Sequence, residues 1–441
     1  MRILHTADWH LGNSMHEVDR TQEQEKFLKW LTKIIIDEKI ETLIVAGDIF
    51  DVFSPSNWAT KLFYRFLASL LNTECRNVVV VGGNHDSGNF LDAPGDLFDA
   101  LNIHVVGNAE NRDIEDMVFE LKDDKGNTAA ICAAVPFVSE IYLEDFCDGS
   151  DACPDKCFSD MTYSRLYKTF LEKALELKKD KDIPLIATGH LYAAGLEGRY
   201  EGLEDEVKTD DGIRQLDVVG NLGKVHVNSF PDEFDYVALG HIHYHTRVDK
   251  RDKIRYSGSP FVMGFDETET KHYVLRVDLG EENNPHALSV KPIEVPRSIY
   301  FKRLSGSPDN IKSDLNEVIL KATSTTEFEQ YCLELYYKAE DSKAVHALEK
   351  DIGLPENVRI VSWKVDVPEN DYKTKLKSQD MRSLENLDSK TIIRELVLSH
   401  IRIERGDMTD KEYEKKQDEI VNIYKPYFLK AIEKAKGGNK E

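Results

Sequence analysis

No part of this chain is apolar enough to cross a membrane. Runs such as Leu43–Ala46 and Val78–Val81 fall far short of the roughly 18 residues that a spanning helix needs. Cysteine is scarce, six in 441 residues. The irregular spacing of Cys75, Cys132, Cys147, Cys153, Cys157 and Cys332 argues against a disulfide framework and fits reduced thiols. Three of them crowd one acidic loop, but Cys153-x3-Cys157 is not a zinc-knuckle spacing and no histidine lies close by. Cations are in deficit, 57 Lys and Arg against 80 Asp and Glu, for a net charge of −23. That balance argues against a broad phosphate-binding surface. It does not exclude nucleic acid, because a metal site supplies its own positive charge and a local basic strip or a basic partner supplies the rest. The opening residues, MRILHTADWH, lack the cationic and apolar segments of a secretory leader and read at once as a strand carrying chemistry. A cytoplasmic protein is the expectation.

Length alone calls for two or three domains. The first half alternates short β-branched runs with helical patterns: strand Arg2–Ala7, helix Gln22–Glu38, strand Thr42–Ala46, helix Pro55–Leu71 opened by Ser54, strand Val78–Val81, helix Ala93–Leu101 and strand Ile103–Val106. A hairpin over Met117–Leu121 and Thr128–Ala134 follows, then a polar loop near 139–160, a helix at about 162–178 and the strand Pro184–Thr188. Residues 192–230 read as mostly irregular, and 235–279 as strands. The order predicts an α/β domain over 1–280, a two-sheet sandwich flanked by helices. Strand, helix, strand, helix, strand over Leu288–Ile293, Asn310–Lys321, Glu329–Tyr336, Ser342–Glu349 and Val358–Val365 predicts a small α+β capping domain over 281–367. After a polar linker, residues 368–441 read as helical. One helix at about 389–402 carries Ile392, Ile393, Leu396, Val397 and Ile401 on one face, and a second opens at Thr409 with a capping box to Glu412 and is kinked by Pro426. Two such helices need something to pack on, either their own protein or a partner.

The chemistry-bearing residues recur at strand ends. Asp8 and His10 end the first strand, Asp48 follows the second, Asn84, His85 and Asp86 the third, His190 follows Pro184–Thr188, and His241 and His243 follow Tyr236–Leu239. In α/β sheets the carboxyl ends of strands face the ligand crevice, so residues remote in sequence converge there. Glycines 47, 82, 83, 189 and 240 precede them and permit sharp exits and close backbone approach. Read singly, each residue has an ordinary explanation: a helix cap, a turn, a satisfied core histidine. Together, in the order D-x-H, G-D, G-N-H-D, G-H and G-H-x-H, they read as one donor set of imidazole, carboxylate and amide oxygen without thiolate. Such a set suits Mn²⁺ or Fe²⁺ and tolerates Zn²⁺ or Mg²⁺. Seven donors exceed one ion and fit two that share a carboxylate, about 3.5–4 Å apart, the arrangement that cleaves phosphate esters. The remaining histidines, among them His5, His16, His104 and His245, read as structural.

These five blocks resemble the signature of the calcineurin-like metallophosphoesterase superfamily over roughly residues 1–280. The flanks, Met1–Gly12, Gly47–Asp51, Tyr236–His243 and Arg255–Pro260 with Phe265–Glu267, resemble the bacterial SbcD family of nuclease subunits. The resemblance implies two manganese ions, with Mg²⁺ or Fe²⁺ as alternatives, one held by Asp8, His10, Asp48 and His243 and the other by Asp48, Asn84, His190 and His241. It also implies that His85 orients the phosphate and protonates the leaving 3′ oxygen, with Asp86 fixing its ring. The implied activities are exonuclease on double-stranded ends and endonuclease on single strands and hairpins, in DNA break repair and recombination. The implied partners are DNA, an SbcC-like ATPase docked on the C-terminal helices, and a second copy of the chain. Trp58, Leu62 and Phe66 are a candidate dimer face, and a buried face within the monomer explains them equally well. Departures are the long acidic loop between His190 and Gly223 and the Phe-Val-Met-Gly that follows Pro260, which bear on substrate access rather than on the ligands.

Arg247, Lys250, Arg251, Lys253 and Arg255 form the best local strip for DNA contact, diluted by Asp249 and Asp252. Two other readings compete with a DNA nuclease. One is a small-molecule phosphodiesterase of the same superfamily, which needs neither the extra domain nor the terminal helices. The other is a scaffold that tethers DNA ends, against which the complete donor set argues.

Overall fold

The computed structural model describes residues 1–366 apart from 111, 140–141, 144–145, 147–159, 194–224, 282, 339–340, 343, 346–347 and 349–352. The cysteine-bearing loop, the acidic loop after His190 and both C-terminal helices lie largely or wholly outside the described residues.

Two six-stranded sheets make the body. The first contains β1 (Arg2–Thr6), β2 (Thr42–Ala46), β3 (Asn77–Val81), β4 (Ile103–Val106), β11 (Tyr273–Glu281) and β12 (Asn284–Glu294), in the order β12-β11-β1-β2-β3-β4. The second contains β5 (Val118–Lys122), β6 (Thr128–Ala133), β7 (Leu185–His190), β8 (Tyr236–Gly240), β9 (Thr246–Val248) and β10 (Arg251–Tyr256), in the order β5-β6-β7-β8-β10-β9. Strands β1 to β4 run parallel, as do β6, β7, β8 and β10. All their carboxyl ends therefore leave the sheets on the same side of their own sheet.

Strand periodicity explains the layering. Ile3, Ile44, Val79 and Val81 point into the core shared with the second sheet, while Leu4, Leu43, Val45, Val78 and Val80 point the other way. That second face packs on helices α1 (Thr21–Asp37) and α2 (Asn57–Leu70), through Phe27, Leu28, Leu31 and Ile35 of the first and Phe63, Phe66 and Leu67 of the second. Burying each such side chain contributes about 1.5–3 kcal/mol, so the central strands are apolar on both faces, as parallel strands between two layers must be. Helix α5 (Asp160–Lys178) contributes Tyr163, Leu166, Tyr167 and Phe170 to the core of the second sheet. The helix predicted over Ala93–Leu101 is α4 (Gly95–Ala100), and a further short helix, α3 (Gly88–Asp92), precedes it, the two separated at Pro94. Helix α2 is capped by Ser56, whose Oγ accepts from the Ala59 N–H at 3.2 Å, and not by Ser54.

A third sheet, β13-β14-β15, is built from β13 (Ile299–Ser305), β14 (Gln330–Lys338) and β15 (Val358–Asp366). Helix α6 (Pro308–Ser324) crosses between the parallel pair β13 and β14 and is capped by Ser307, with Pro308 in its first turn. The strand expected over Leu288–Ile293 does not belong to this sheet. It is β12, which pairs antiparallel with β11 from Tyr273 opposite Glu294 to Glu281 opposite Asn284, and Ile299–Ser305 opens the small sheet instead. Proximity decides this: two strands joined by a tight turn pair with each other before either finds a distant partner. The small sheet meets the body through Met15, Val18, Val262, Phe265, Ile299, Phe301 and Cys332. Among the described residues no helix is long and apolar enough to cross a membrane.

Candidate metal centre

Every predicted donor sits at the carboxyl end of a parallel strand, three sets from the first sheet and two from the second. The chain turns there through backbone conformations that side chains rarely adopt: φ is 54° at Asp8, 43° at His10, 50° at Asp48 and 95° at His241. Outside glycine such values cost free energy and persist where the surroundings over-determine them. Here a backbone ladder does so, with the N–H groups of Asp8, His10 and Leu11 donating to the carbonyls of Gly47, Asp48 and Ile49 at 3.0, 2.9 and 2.9 Å.

The side chains converge around Asp48. Its Oδ2 lies 3.3 Å from His190 Nε2 and 3.6 Å from His10 Nε2, and its Oδ1 accepts from the His85 backbone N–H at 2.9 Å. On one flank, His10 Nε2 faces His243 Nε2 at 3.3 Å, and donor atoms of Asp8, His10 and His243 lie within 4.8 Å of one another. On the other, Asn84 Oδ1 is 3.0 Å from both His190 Nε2 and His241 Nδ1. The His190 Nδ1–H donates to the Ala46 carbonyl at 3.0 Å, which turns Nε2 inward. All seven predicted donors are thus brought together.

Three features make this a candidate cation site. Asp8 Oδ2 is buried and has no hydrogen-bond partner, although its Oδ1 accepts from the His241 N–H at 2.8 Å. Two imidazole nitrogens face each other, His10 Nε2 and His243 Nε2, and neutral lone pairs so placed need a proton or a cation between them. The donor atoms are nitrogen and oxygen only, a set suited to divalent ions of the Mg²⁺ to Zn²⁺ range.

Electrostatics follow from burial and crowding. Burial raises the Asp8 carboxyl. Burial pushes Asp48 the same way, but the neighbouring imidazoles, His190 foremost, hold it far below the usual carboxylate range. For His190 burial favours the neutral ring, yet the carboxylates of Asp48 and Asp8 prevail and raise it to about 9. Burial, then adjacent imidazoles, lower His241 to about 4 and His243 to about 3, so both are neutral at pH 7.

His85 is exposed at the edge of the cluster. Its Nδ1–H donates to the Asp51 carbonyl at 2.9 Å, and its ring meets His10 edge-on with centroids 4.9 Å apart. Asp86 does not reach that ring. Its buried carboxylate accepts from the N–H groups of Ile49 (3.0 Å), Phe50 (2.9 Å) and Gly83 (2.9 Å), so it ties the exit of β2 to the exit of β3. The expected role of Asp86 on His85 is corrected accordingly. Asp51, to which sequence reasoning gave no role, holds the ring instead, and its Oδ1 also lies 3.4 Å from His10 Nδ1. The only signal was a second carboxylate three residues after Asp48.

The basic strip is mostly engaged. Arg247 pairs with Asp252 at 3.0 Å, Arg251 with Asp232 at 3.3 Å, and Lys253 with the carbonyl and carboxylate of Asp232 at 2.7 and 3.3 Å. Arg255 is only 6% exposed and pairs with Asp252 at 2.8 Å, which removes it from the DNA-contact set. Lys250 stands exposed at the turn. In the proposed dimer face Phe66 is buried, while Trp58 and Leu62 are partly buried against the same core.

Close approach makes glycine obligatory at Gly47, where φ is +93° and a Cβ would stand 2.1 Å from His190 Nδ1. Gly47→Ala should therefore cost at least about 2 kcal/mol of stability. Gly126→Ala, at φ +79° with open space around the new methyl, should cost about 1 kcal/mol from the backbone alone. Parallel urea denaturation measures both; equal losses would mean that the His190 contact carries no weight.

The chain is similar to known proteins over the segment that carries this cluster. The Calcineurin-like phosphoesterase family model matches residues 1–245. The SbcD component of the nuclease SbcCD from Escherichia coli (strain K12) is 31% identical over 317 residues, 72% of this chain and 74% of that protein. Its namesake from Rhodobacter capsulatus is 32% identical over 69% of this chain and 71% of its own, and that from Bacillus subtilis 33% over 64% and 68%. The matched segment carries all seven donors from both sheets, and on these grounds the chain belongs to the calcineurin-like phosphoesterase family and, within it, to the SbcD group of nucleases.

Proposed function

We propose that this metallophosphoesterase is a DNA nuclease that hydrolyses phosphodiester bonds at a two-ion centre. The observation that carries the reading is the placement of Asp48 Oδ2 between two imidazole groups, His10 with His243 on one flank and His190 with Asn84 and His241 on the other. One ion is assigned to Asp8, His10, Asp48 and His243, the other to Asp48, Asn84, His190 and His241, with Asp48 shared. Manganese is the preferred ion, with Mg²⁺ or Fe²⁺ as alternatives. When bound, the ions supply Lewis acidity toward a phosphoryl oxygen and ready a water for in-line attack.

The chain's own groups do the rest. The Asp51 carbonyl keeps the His85 proton on Nδ1, so Nε2, once protonated, is the nitrogen that donates to the leaving 3′ oxygen. The Ala46 carbonyl holds His190 in the tautomer that presents Nε2. Asp86 locks together the two loops that carry Asp48 and His85.

With His190 raised to about 9, an ion entering at neutral pH displaces its proton. Metal affinity should therefore climb about tenfold per pH unit from 7 to 9 and level off above. Competition with a chelating dye measures this, and a flat profile contradicts the assignment of His190 as a ligand.

The proposed activities are exonuclease on double-stranded ends and endonuclease on single strands and hairpins, in double-strand break repair and recombination. The relatives are named as one component of the nuclease SbcCD, and we extend that to an SbcC-type ATPase docked on the segment 368–441, to a homodimer of the nuclease domain, and to action in the cytoplasm at the nucleoid. Because four of the five strip cations are paired with aspartates, DNA affinity is assigned chiefly to the metal centre and the partner. Mn²⁺-dependent cleavage of a hairpin-ended duplex, with and without the ATPase, tests the reading beside hydrolysis of bis-p-nitrophenyl phosphate. Cleavage of both supports it; turnover of the small ester alone with the partner present would make the chain a small-molecule phosphodiesterase.

A further inference from the structure

Past His10 the chain makes a tight turn, with the Asn13 N–H donating to the His10 carbonyl at 2.9 Å. This turn touches both the site and the small sheet. Asn13 Nδ2 donates to Asp51 Oδ1 at 2.9 Å. Its Oδ1 faces Arg20 Nη1 at 3.4 Å, and Arg20 is buried, with Nε on Glu23 at 2.7 Å and Nη1 on the Val262 carbonyl at 2.8 Å. The Arg20 guanidinium also lies over Phe261 and over Phe301 of β13, 5.2 and 5.5 Å from the ring centroids. Beyond Asp51 the chain has little to hold it: Val52 is 52% exposed and Phe53 65%. The position of the Asp51 carbonyl, which holds His85, therefore depends on three contacts: the Asp51 N–H on the Leu11 carbonyl at 3.3 Å, the Asn13 amide on its carboxylate, and His10 Nδ1 at 3.4 Å from that carboxylate.

We infer that Asn13 and Asp51 form a positioning pair for His85, in which the Asn13 side chain fixes the Asp51 peptide so that its carbonyl holds the His85 ring with Nε2 presented to the substrate. The inference rests on the reading of His85 as proton donor to the leaving oxygen. Neither residue touches substrate; each acts through the ring. Because Arg20 ties Asn13 to the seam with β13, the seat of the small sheet bears on the same ring.

The test uses the full-length chain labelled with ¹⁵N-histidine, the His85 signals being identified by their loss in His85→Gln. Wild type should show the Nδ1–H tautomer. Asn13→Ala, and the near-isosteric Asn13→Asp that sets two carboxylates against each other, should move both ring nitrogens toward the averaged shifts of an unrestrained imidazole. On DNA, kcat should fall about 10–100-fold with KM and bound metal unchanged. His85 signals identical to wild type in both variants overturn the inference, as does a loss of metal with the ring signals unmoved. If the ring signals move as expected while wild type itself cleaves no phosphodiester, the positioning stands and the nuclease reading fails.

Discussion

Asp48→Asn should leave the chain folded but largely empty of metal, with diester hydrolysis down roughly 10³-fold or more. The substitution keeps the shape and the oxygen that accepts the His85 N–H, so the turn after β3 is preserved. What it removes is the charge that both imidazole groups share. Asp48 is the acceptor lying within 3.3 Å of His190 Nε2 and 3.6 Å of His10 Nε2, and a neutral amide there offers neither ion a bridging carboxylate. The same change lets His190 fall from its raised value, because burial then acts on it with only Asp8 and the Ala46 carbonyl opposing. Metal content by mass spectrometry and kcat on bis-p-nitrophenyl phosphate read both effects. Two ions retained with near-normal turnover would remove Asp48 from the bridge.

His85→Gln should act differently, lowering kcat on DNA by about 10²–10⁴-fold with both ions still bound. The ring is exposed and its Nδ1 is turned to the Asp51 carbonyl, so it contributes no donor to the seven-residue cluster, and the backbone N–H that supports Asp48 survives the change. A proton donor matters most when the leaving group is basic. The 3′ oxygen of a nucleotide needs protonation far more than p-nitrophenolate does, so the loss on DNA should exceed the loss on the p-nitrophenyl ester. An equal loss on both substrates would make His85 a phosphate-positioning group alone.

The donor set is legible because each of its members follows a strand, all but Asp8 and His10 also follow a glycine, and the blocks occur in one order; nothing about their side-chain partners is needed. What escapes reading depends on contacts between distant segments. Asp86 sits next to His85 in sequence, yet its carboxylate satisfies three backbone N–H groups from two strand exits, a pairing no spacing rule announces. Asp51 acts on His85 through its carbonyl, and a main-chain group leaves no trace in residue type. Arg255 belongs to a cationic run, but on the face of β10 opposite Ile254 and Tyr256 it is buried against His245 and Asp252, a pairing that its place in the run does not announce. The run Leu288–Ile293 resembles the start of a new domain because it follows an Asn-rich turn, and that same turn makes it the hairpin partner of β11. In the small sheet, Ile299–Ser305 is hidden because its alternation is broken by Lys302 and Arg303; Arg303 pairs with Glu334 on the neighbouring strand, which lets a charged residue occupy that position.

We propose that seven side chains from two sheets hold two ions around one shared carboxylate. Equilibrium dialysis of the full-length chain against Mn²⁺, followed by elemental analysis, tests it most directly. Two ions per chain are expected for wild type, with occupancy lost in Asp48→Asn and kept in His85→Gln. One ion per chain in wild type, or two that persist without the Asp48 carboxylate, would contradict it.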